Sequence, residues 1–535
     1  MVRFPSAVVA LAVALATVPL CPASAQTTPT TPRVGPPSGS VMVVGGGAQG
    51  PELYAKFIEL AGGPDALIID VPTAGGDSVY PADWRGTRGL RAAGARNVVV
   101  LHSTDRRVTD SEAFAAMISL AGGVWFEGGR QWRLVDAYAG TRTERAFHAV
   151  LARGGVVGGS SAGASILSSY MLRGARAGNA TIMAPGYEVG FGFLRGVAID
   201  QHVVARERLR DLADSLLPRR PDLLGISEDE GTAWVIRGDT AEILGRSKAF
   251  VYGGRDPTDS GVPYLTLRPG DRYDLGARRV MHRAIEDSPL TLAFVDSLFR
   301  DAAPAGGPAA TVLVAHDGKV LVDRSYGIPV HPNYTPTTTL PNFPLGDIAG
   351  AFNALAAQLL SREGKLALDD DAGEGTGSTV RELLQRRASI AQPDTMFAAL
   401  LARQSGLGYE QLMARRLFAP LGINKTTVSM TGGLRSNVDE LYRLELGLQW
   451  PRTFSRDSSG TGGGEAASLD VALGWRADER RGMRRLSSFG TADGRRNAFV
   501  RFPDLRATII ILSSSDALDA RAVAERITER LLGAP

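Results

Sequence analysis

The sequence predicts an α/β protein whose first domain is a mostly parallel sheet with helices on both faces. Three observations carry this. Between residues 41 and 157, short apolar runs rich in Val and Ile alternate with helical runs, the pattern of strands buried on both sides. Glycine turns follow the fourth and fifth of these strands, at the carboxyl ends where open parallel sheets place their sites. The fifth strand runs into Gly158-Gly159-Ser160-Ser161-Ala162-Gly163-Ala164, the strand–turn–helix layout of a G-x-S-x-G nucleophile elbow.

The elements follow in order. Arg3, an apolar run from about Ala7 to Leu20, and the small-x-small triplet Ala23-Ser24-Ala25 predict a cleavable secretory signal over residues 1–25. The run is too short for a bilayer anchor, and Leu20 before Cys21 is too large for a lipoprotein signal. A periplasmic or extracellular location is therefore expected. The Thr/Pro/Gly-rich residues 26–40 read as a disordered leader. Strands are expected at Val41–Val44, Ala66–Val71, Asn97–Leu101, Gly123–Phe126 and Val156–Val157, with helices at Glu52–Ala61 and Ser111–Leu120. A helix-like run, Ser165–Tyr170, follows the elbow. Gly45-Gly46-Gly47 lacks the acidic partner of a dinucleotide fingerprint and reads as a tight turn. Antiparallel hairpins at Ala241–Leu244, Ala249–Tyr252, Tyr264–Leu267 and Arg272–Leu275 close a first domain spanning 41–285. The second, 286–535, has a helix at Leu290–Asp301, a small-residue linker Ala302–Ala310 and a hairpin at Thr311–Val322. A long helix Ile348–Gly364, a strand Arg506–Leu512 and a helix Ala520–Leu532 follow. Ser458–Gly464 reads as a loop.

Composition narrows the function. A formal net charge of +3 over 535 residues, with both signs interspersed, gives no case for nucleic acid or a polybasic membrane surface. The single cysteine lies in the signal, so the mature chain has no thiol nucleophile, disulfide or thiolate metal site. No later segment is apolar enough to span a membrane.

Around the elbow, Ser161 is the apex because Gly159 and Gly163 bracket it, and crowded backbone there requires small neighbours. A serine nucleophile needs a base and a group to orient it. Of six histidines, His202 stands apart. It ends the polar cluster Asp200-Gln201-His202 after the apolar run Gly196–Ile199, and polar residues at a strand end suit a site. His148 reads as a helix-face residue. Arg206, Arg208 and Arg210 follow on a helical run with Arg206 and Arg210 on one face, either a solvated basic face or a carboxylate clamp. The acids Glu228-Asp229-Glu230 lie at a strand entrance, as a surface loop or a site edge. Ala162 N–H and the Gly128-Gly129 turn are candidate oxyanion donors.

Four motifs now stand in order: Phe126-Glu127-Gly128-Gly129-Arg130-Gln131, the elbow, Asp200-Gln201-His202 with Arg206 and Arg208, and Gly225–Ala233. Together with the opening Val44-Gly45-Gly46-Gly47 and Pro72-Thr73-Ala74, they resemble the cyanophycinase group, serine peptidases of family S51 on a class-I glutamine-amidotransferase-like (flavodoxin-like) fold. The resemblance implies Ser161 as nucleophile, His202 as base and Glu230 as the orienting acid, with Asp229 as the fallback. It implies a substrate pocket of Gln131, Asp200, Gln201, Arg206 and Arg208, no cofactor or metal, and hydrolysis of β-linked Asp-Arg peptides from cyanophycin. Asp211 stands where the family has a third Arg, and Glu127 and Arg130 replace the usual residues beside the glycine pair. These departures bear on substrate more than on chemistry.

Residues 286–535 resemble the α+β serine β-lactamase family through Val312–Val320, Tyr326-Gly327, Gly364–Asp370 and Phe418–Ile423. That family uses S-x-x-K, Tyr-x-Asn and a late basic-x-Gly motif. Here Asp347 and Gly350 replace the Ser and Lys, no Tyr lies between Tyr334 and Tyr409, and the late motif is Phe489-Gly490-Thr491. A catalytically inactive module is expected.

The reading is therefore an exported serine exopeptidase acting on a peptide or cyanophycin-like polymer. It has no nucleic-acid partner and no membrane segment after signal cleavage, and a homodimer is compatible with it. Two alternatives stay open: a dipeptidase for other Asp-containing peptides, and a non-catalytic envelope-binding protein.

Overall fold

Five parallel strands form the framework of the N-terminal half: β1 (Ser40–Val44), β2 (Leu67–Val71), β3 (Asn97–Val100), β4 (Gly123–Phe126) and β5 (Val156–Ser160). They lie in the order β3-β2-β4-β5-β1. The computed structural model describes residues 34–259, 261–304, 309–327, 342–373, 377–385, 393–428, 433–449, 470, 472–492 and 495–533. The strands read as unbroken apolar runs because both faces are covered. In β1, Val41 and Val43 join the core beneath helices Gln131–Tyr138 and Arg142–Ala152. Met42 and Val44 join Phe57 and Ile58 of helix Pro51–Ala61 on the other side.

The remaining N-terminal strands are β6 (Ser168–Met171), β7 (Leu194–Gln201), β8 (Leu224–Glu228), β9 (Thr232–Arg237), β10 (Thr240–Gly245), β11 (Ala249–Tyr252), β12 (Leu265–Leu267), β13 (Arg272–Asp274) and β14 (Arg279–His282). Antiparallel β9, β10, β13 and β14 extend the first sheet beyond β1. A second sheet, β12-β11-β8-β7-β6, keeps β6, β7 and β8 parallel. The carboxyl ends of β1, β4 and β5 and those of β7 and β8 carry the residues of the site.

The C-terminal half is built on an antiparallel sheet of six strands among the described residues. Their order is Lys319–Tyr326, Ala310–His316, Ala507–Ser513, Arg495–Phe502, Met483–Ala492, Arg476–Arg480. Ile509 and Ile511 face the layer of helices Leu292–Phe299 and Ala520–Leu531. Ile510 and Leu512 face the opposite layer, with helices Ala349–Arg362 and Val438–Gln449. Residues 32–535 form one compact unit, and ion pairs centred on the buried Lys248 join its halves: Lys248 bridges Asp323 and the half-buried Asp439 at 3.0 and 2.9 Å.

Several expectations are corrected. The run Ser165–Tyr170 is not a helix: the helix after the elbow is Ala162–Ser165, and Ser168–Met171 is β6. Short apolar stretches serve either structure, and tertiary pairing with β7 decides here. The basic run Arg206–Leu212 is not a continuous helix either. Glu207 takes a left-handed backbone (φ 55°), so Arg206 and Arg210 do not share a helical face, and only the π-turn Leu212–Leu216 follows. The helix expected over Ser111–Leu120 is the single turn Glu112–Ala116, capped by Ser111. Within the supposed leader, residues 34–39 pack: Val34 is buried, its N–H donates to Asp239 Oδ1 at 2.8 Å and its carbonyl accepts from Arg195. The signal segment 1–25, residues 26–33, Tyr334 and the loop Ser458–Gly464 lie outside the described residues.

Candidate active site

Ser161 sits immediately after β5 with φ 58° and ψ −112°, a conformation strained for any residue with a Cβ. The small side chains around it permit the turn. A methyl group on Gly163 would lie 2.0 Å from the Phe126 carbonyl oxygen, and one on Gly159 would lie 2.3 Å from that of Gly163. The adjacent Ser160 is buried, and its hydroxyl accepts from Gln49 Nε2 at 2.6 Å, so Ser161 is the serine left at the apex.

His202 caps β7, also with a left-handed backbone (φ 57°), and is 4% exposed. Its Nε2 lies 2.7 Å from Ser161 Oγ and its Nδ1 lies 2.6 Å from Glu230 Oε1. With Glu230 ionised, the network assigns the proton to Nδ1, which leaves Nε2 to accept from the serine hydroxyl. The hydrogen bond from His202 holds the Glu230 carboxyl below the usual Glu range against the cost of burial, with further help from the charges of His202, Arg443 and Arg206. Asp229 is directed elsewhere. It accepts from Ala205 N–H, Ser247 Oγ and Arg443 Nη2 at 3.0, 2.9 and 3.2 Å, so Glu230 is the acid that meets the histidine.

The remaining predicted residues divide. Gly128 lies against the serine: a methyl there would sit 3.4 Å from Ser161 Cβ and 3.9 Å from Oγ. Gly129 (φ 147°) packs on the Ala74 carbonyl, 2.1 Å from where its methyl would be. Ala162, buried, begins the turn after the nucleophile. Gln131 is buried, with Nε2 donating to Leu172 O at 2.6 Å. Gln201 is buried, with Nε2 donating to Ser165 Oγ at 3.1 Å. Asp200 is fully buried and gives both oxygens to Arg173, which sequence reasoning did not single out. Asp211 reaches the same guanidinium at 2.5 Å. Arg206 is exposed and Arg208 half-buried. Burial and the nearby Arg173 charge lower the Arg208 pKa, and its Nη1 is sealed from solvent without a hydrogen-bond partner. Arg210 pairs instead with Asp214 at 2.9 Å, and His148 Nε2 meets the Phe191 carbonyl at 2.9 Å.

Two groups were not among the site residues expected from the sequence. The Gly45-Gly46-Gly47 turn forms the wall of the site. A methyl on Gly46 (φ 89°) would lie 2.3 Å from His202 Cε1, and one on Gly47 would lie 2.3 Å from Glu230 Oε2. The signal was present as three consecutive glycines after a strand. Beside the Gly128 turn, Asp70 and Glu127 form a buried carboxyl pair. Burial first, then the charge of Glu127, raises Asp70 well above its ordinary value, and burial pushes Glu127 up to about 7.

Among the described residues no group of three or more His, Cys, Asp or Glu is gathered for a metal ion, and no helix is long and apolar enough to cross a membrane. In the C-terminal half, Asp347 precedes helix Ala349–Arg362. A methyl on Gly490 would lie 2.1 Å from Leu345 O and 3.3 Å from Asp347 N, so the two altered motif positions adjoin.

A strained serine in contact with a histidine, on a parallel sheet with helices on both faces, belongs to a serine-type hydrolase. The comparisons narrow this to a serine-type peptidase. The chain belongs to peptidase family S51, whose pattern matches residues 41–244, and it carries a β-lactamase domain pattern at 295–431. It is 30% identical to the cyanophycinase of Synechococcus elongatus over 272 residues, 46% of this chain and 82% of that protein. It is also 30% identical to the cyanophycinase of Geminocystis herdmanii over 222 residues, 40% of this chain and 81% of that one. Among solved structures, a peptidase from an acI-B1 Actinobacterium is 24% identical with a TM-score of 0.35, covering 44% of this chain and 97% of its own. A β-lactamase from Mycobacterium bovis is 22% identical with a TM-score of 0.34, covering 44% and 98%.

Proposed function

We propose that the protein is an exported cyanophycinase-type exopeptidase that hydrolyses β-linked Asp-Arg peptides through Ser161, His202 and Glu230. The observation that carries this reading is the continuous relay from Ser161 Oγ through His202 to Glu230, at 2.7 and 2.6 Å. His202 Nε2 takes the hydroxyl proton as Ser161 Oγ attacks the scissile carbonyl, and the Ala162 N–H with the Gly128-Gly129 backbone receives the developing oxyanion. His202 then passes its proton to the leaving amine. A water, deprotonated by His202, hydrolyses the acyl-enzyme and restores Ser161. Glu230 keeps the imidazole in the tautomer this needs. Arg206 and Arg208 supply positive charge for an acidic substrate, and the half-buried Arg208 has a donor to spare. The C-terminal half, with Asp347 and Gly350 in place of Ser and Lys, takes no part as a β-lactamase.

Incubation of the purified protein with cyanophycin and with a panel of β- and α-linked Asp peptides tests the reading. Release of β-Asp-Arg by the wild type, absent in Ser161→Ala, is expected. Equal behaviour of the two would overturn the peptidase mechanism. Preferential cleavage of other Asp peptides would replace the substrate while leaving the mechanism in place.

A further inference from the structure

The acid of the candidate triad is held from two sides. On one, Gly231 N–H donates to Gly46 O at 3.0 Å, and Gly47 packs on the Glu230 carboxylate. On the other stands Arg443, from helix Val438–Gln449 of the C-terminal half. Its side chain is 4% exposed and that of Asp229 is 3% exposed. Nη2 meets Asp229 Oδ2 at 3.2 Å and the Glu230 carbonyl at 3.5 Å, while Nη1 donates to Gly422 O at 3.0 Å. Gly422 in turn abuts Ala48, just beyond the glycine wall. One turn earlier on the helix, Asp439 reaches Lys248 at 2.9 Å, and the Lys248 carbonyl accepts from Asp229 N–H. A single helix face thus holds both the Asp229-Glu230 turn and Lys248, the residue before β11 whose carbonyl receives the Asp229 N–H. Arg443 lies outside the stretch that matches family S51, so the peptidase half does not supply this brace itself.

We propose that Arg443 is a positioning residue of the peptidase: the C-terminal half serves the reaction by fixing the Glu230 turn and supplying a buried cation behind it. This rests on the Ser161–His202–Glu230 reading. Arg443 is sealed from solvent and acts through Asp229 and the Glu230 backbone, so it bears on turnover and not on substrate capture. The charged and titratable groups facing Glu230 are His202, Arg206, Asp229 and Arg443. Removing the buried cation eases protonation of Glu230, which moves the acid limb of activity to higher pH.

The test measures kcat, KM and the pH profile of kcat/KM in the full-length protein for Arg443→Met, Arg443→Lys and the double variant Arg443→Met/Asp229→Asn. The double variant removes the Asp229 carboxylate together with its partner, while Glu440, 3.9 Å from Arg443, keeps its backbone N–H donors from Asn424, Lys425 and Thr426, which guards against simple misfolding. Expected are a loss of roughly 10- to 100-fold in kcat for Arg443→Met, KM within about twofold, and an acid limb displaced upward. Arg443→Lys recovers part of the rate, and the double variant is folded yet slow. A folded double variant with wild-type kcat and an unmoved acid limb overturns the proposal while Ser161→Ala remains inactive. Activity in Ser161→Ala overturns the triad itself, and this proposal with it.

Discussion

Arg173 closes both carboxylate oxygens of Asp200 with one guanidinium fork, Nε to Oδ1 at 2.8 Å and Nη2 to Oδ2 at 2.7 Å, with neither side chain more than 2% exposed. Asp200 is two residues before His202 on β7, so the pair anchors the end of the strand that delivers the histidine. Asp200 is therefore a support beneath the pocket, and Asp211, read as a departure at the substrate, completes the same ion cluster.

Removing one member leaves a buried charge unpaired. Arg173→Met is expected to cost about 3–5 kcal/mol of stability. Arg173→Met combined with Asp200→Asn is expected to regain a large part of that loss. Urea unfolding of the three proteins measures it, and equal midpoints for single variant and wild type would refute the role.

Glu230→Gln keeps the size and removes the charge. The amide no longer enforces the Nδ1–H tautomer, so kcat should fall by roughly 10³–10⁴ with the fold intact. The same variant should flatten the acid side of stability. The Glu230 carboxyl is depressed when folded, so its contribution is present above the ordinary Glu range and is lost as pH falls through the folded value. Unfolding midpoints between neutral pH and pH about 3 compare the two proteins.

For Glu127 the sign is opposite. Its folded value of about 7 lies above the unfolded 4.5, so the stabilisation is complete below 4.5 and is lost as pH rises through about 7. Stability should decline across this window by at most about 1.4 kcal/mol per pH unit for one proton. Glu127→Gln should remove its share of the decline and leave the share of the buried Asp70. A wild-type curve flat from pH 4.5 to 8 would contradict the buried acid.

At Gly46, a methyl would intrude 2.3 Å from the His202 ring at a φ of 89°. Gly46→Ala should lower stability by about 1 kcal/mol or more and displace the imidazole, with a rate loss on the order of 100-fold. Thermal melting and initial rates on one preparation separate the two effects.

Much of this site was legible in the chain. Ser161 is announced by the glycines that crowding demands, and His202 by polar residues ending an apolar strand. The choice of Glu230 over Asp229 was not readable from residue type, because adjacent acids leave a turn in different directions. The Arg206–Leu212 run has helical spacing, but the left-handed Glu207 backbone breaks it for tertiary reasons. Ser168–Met171 was misread because a short stretch cannot specify its own pairing. Arg443 gave no local signal, since its partner lies 214 residues away and outside any motif.

That separation sets an order of events during synthesis. At about 5–20 residues per second, the ribosome needs roughly 10–40 s after Asp229 to make the residue that braces it. Ser161 and His202 are already in the growing chain by then, but the Asp229-Glu230 turn lacks its far support. A nascent or prematurely stopped chain would thus hold its nucleophile and base without a fully fixed acid. By the proposed brace, a chain stopped short of Arg443 would turn over roughly 10- to 100-fold more slowly, and the full rate would arrive only once that residue is made.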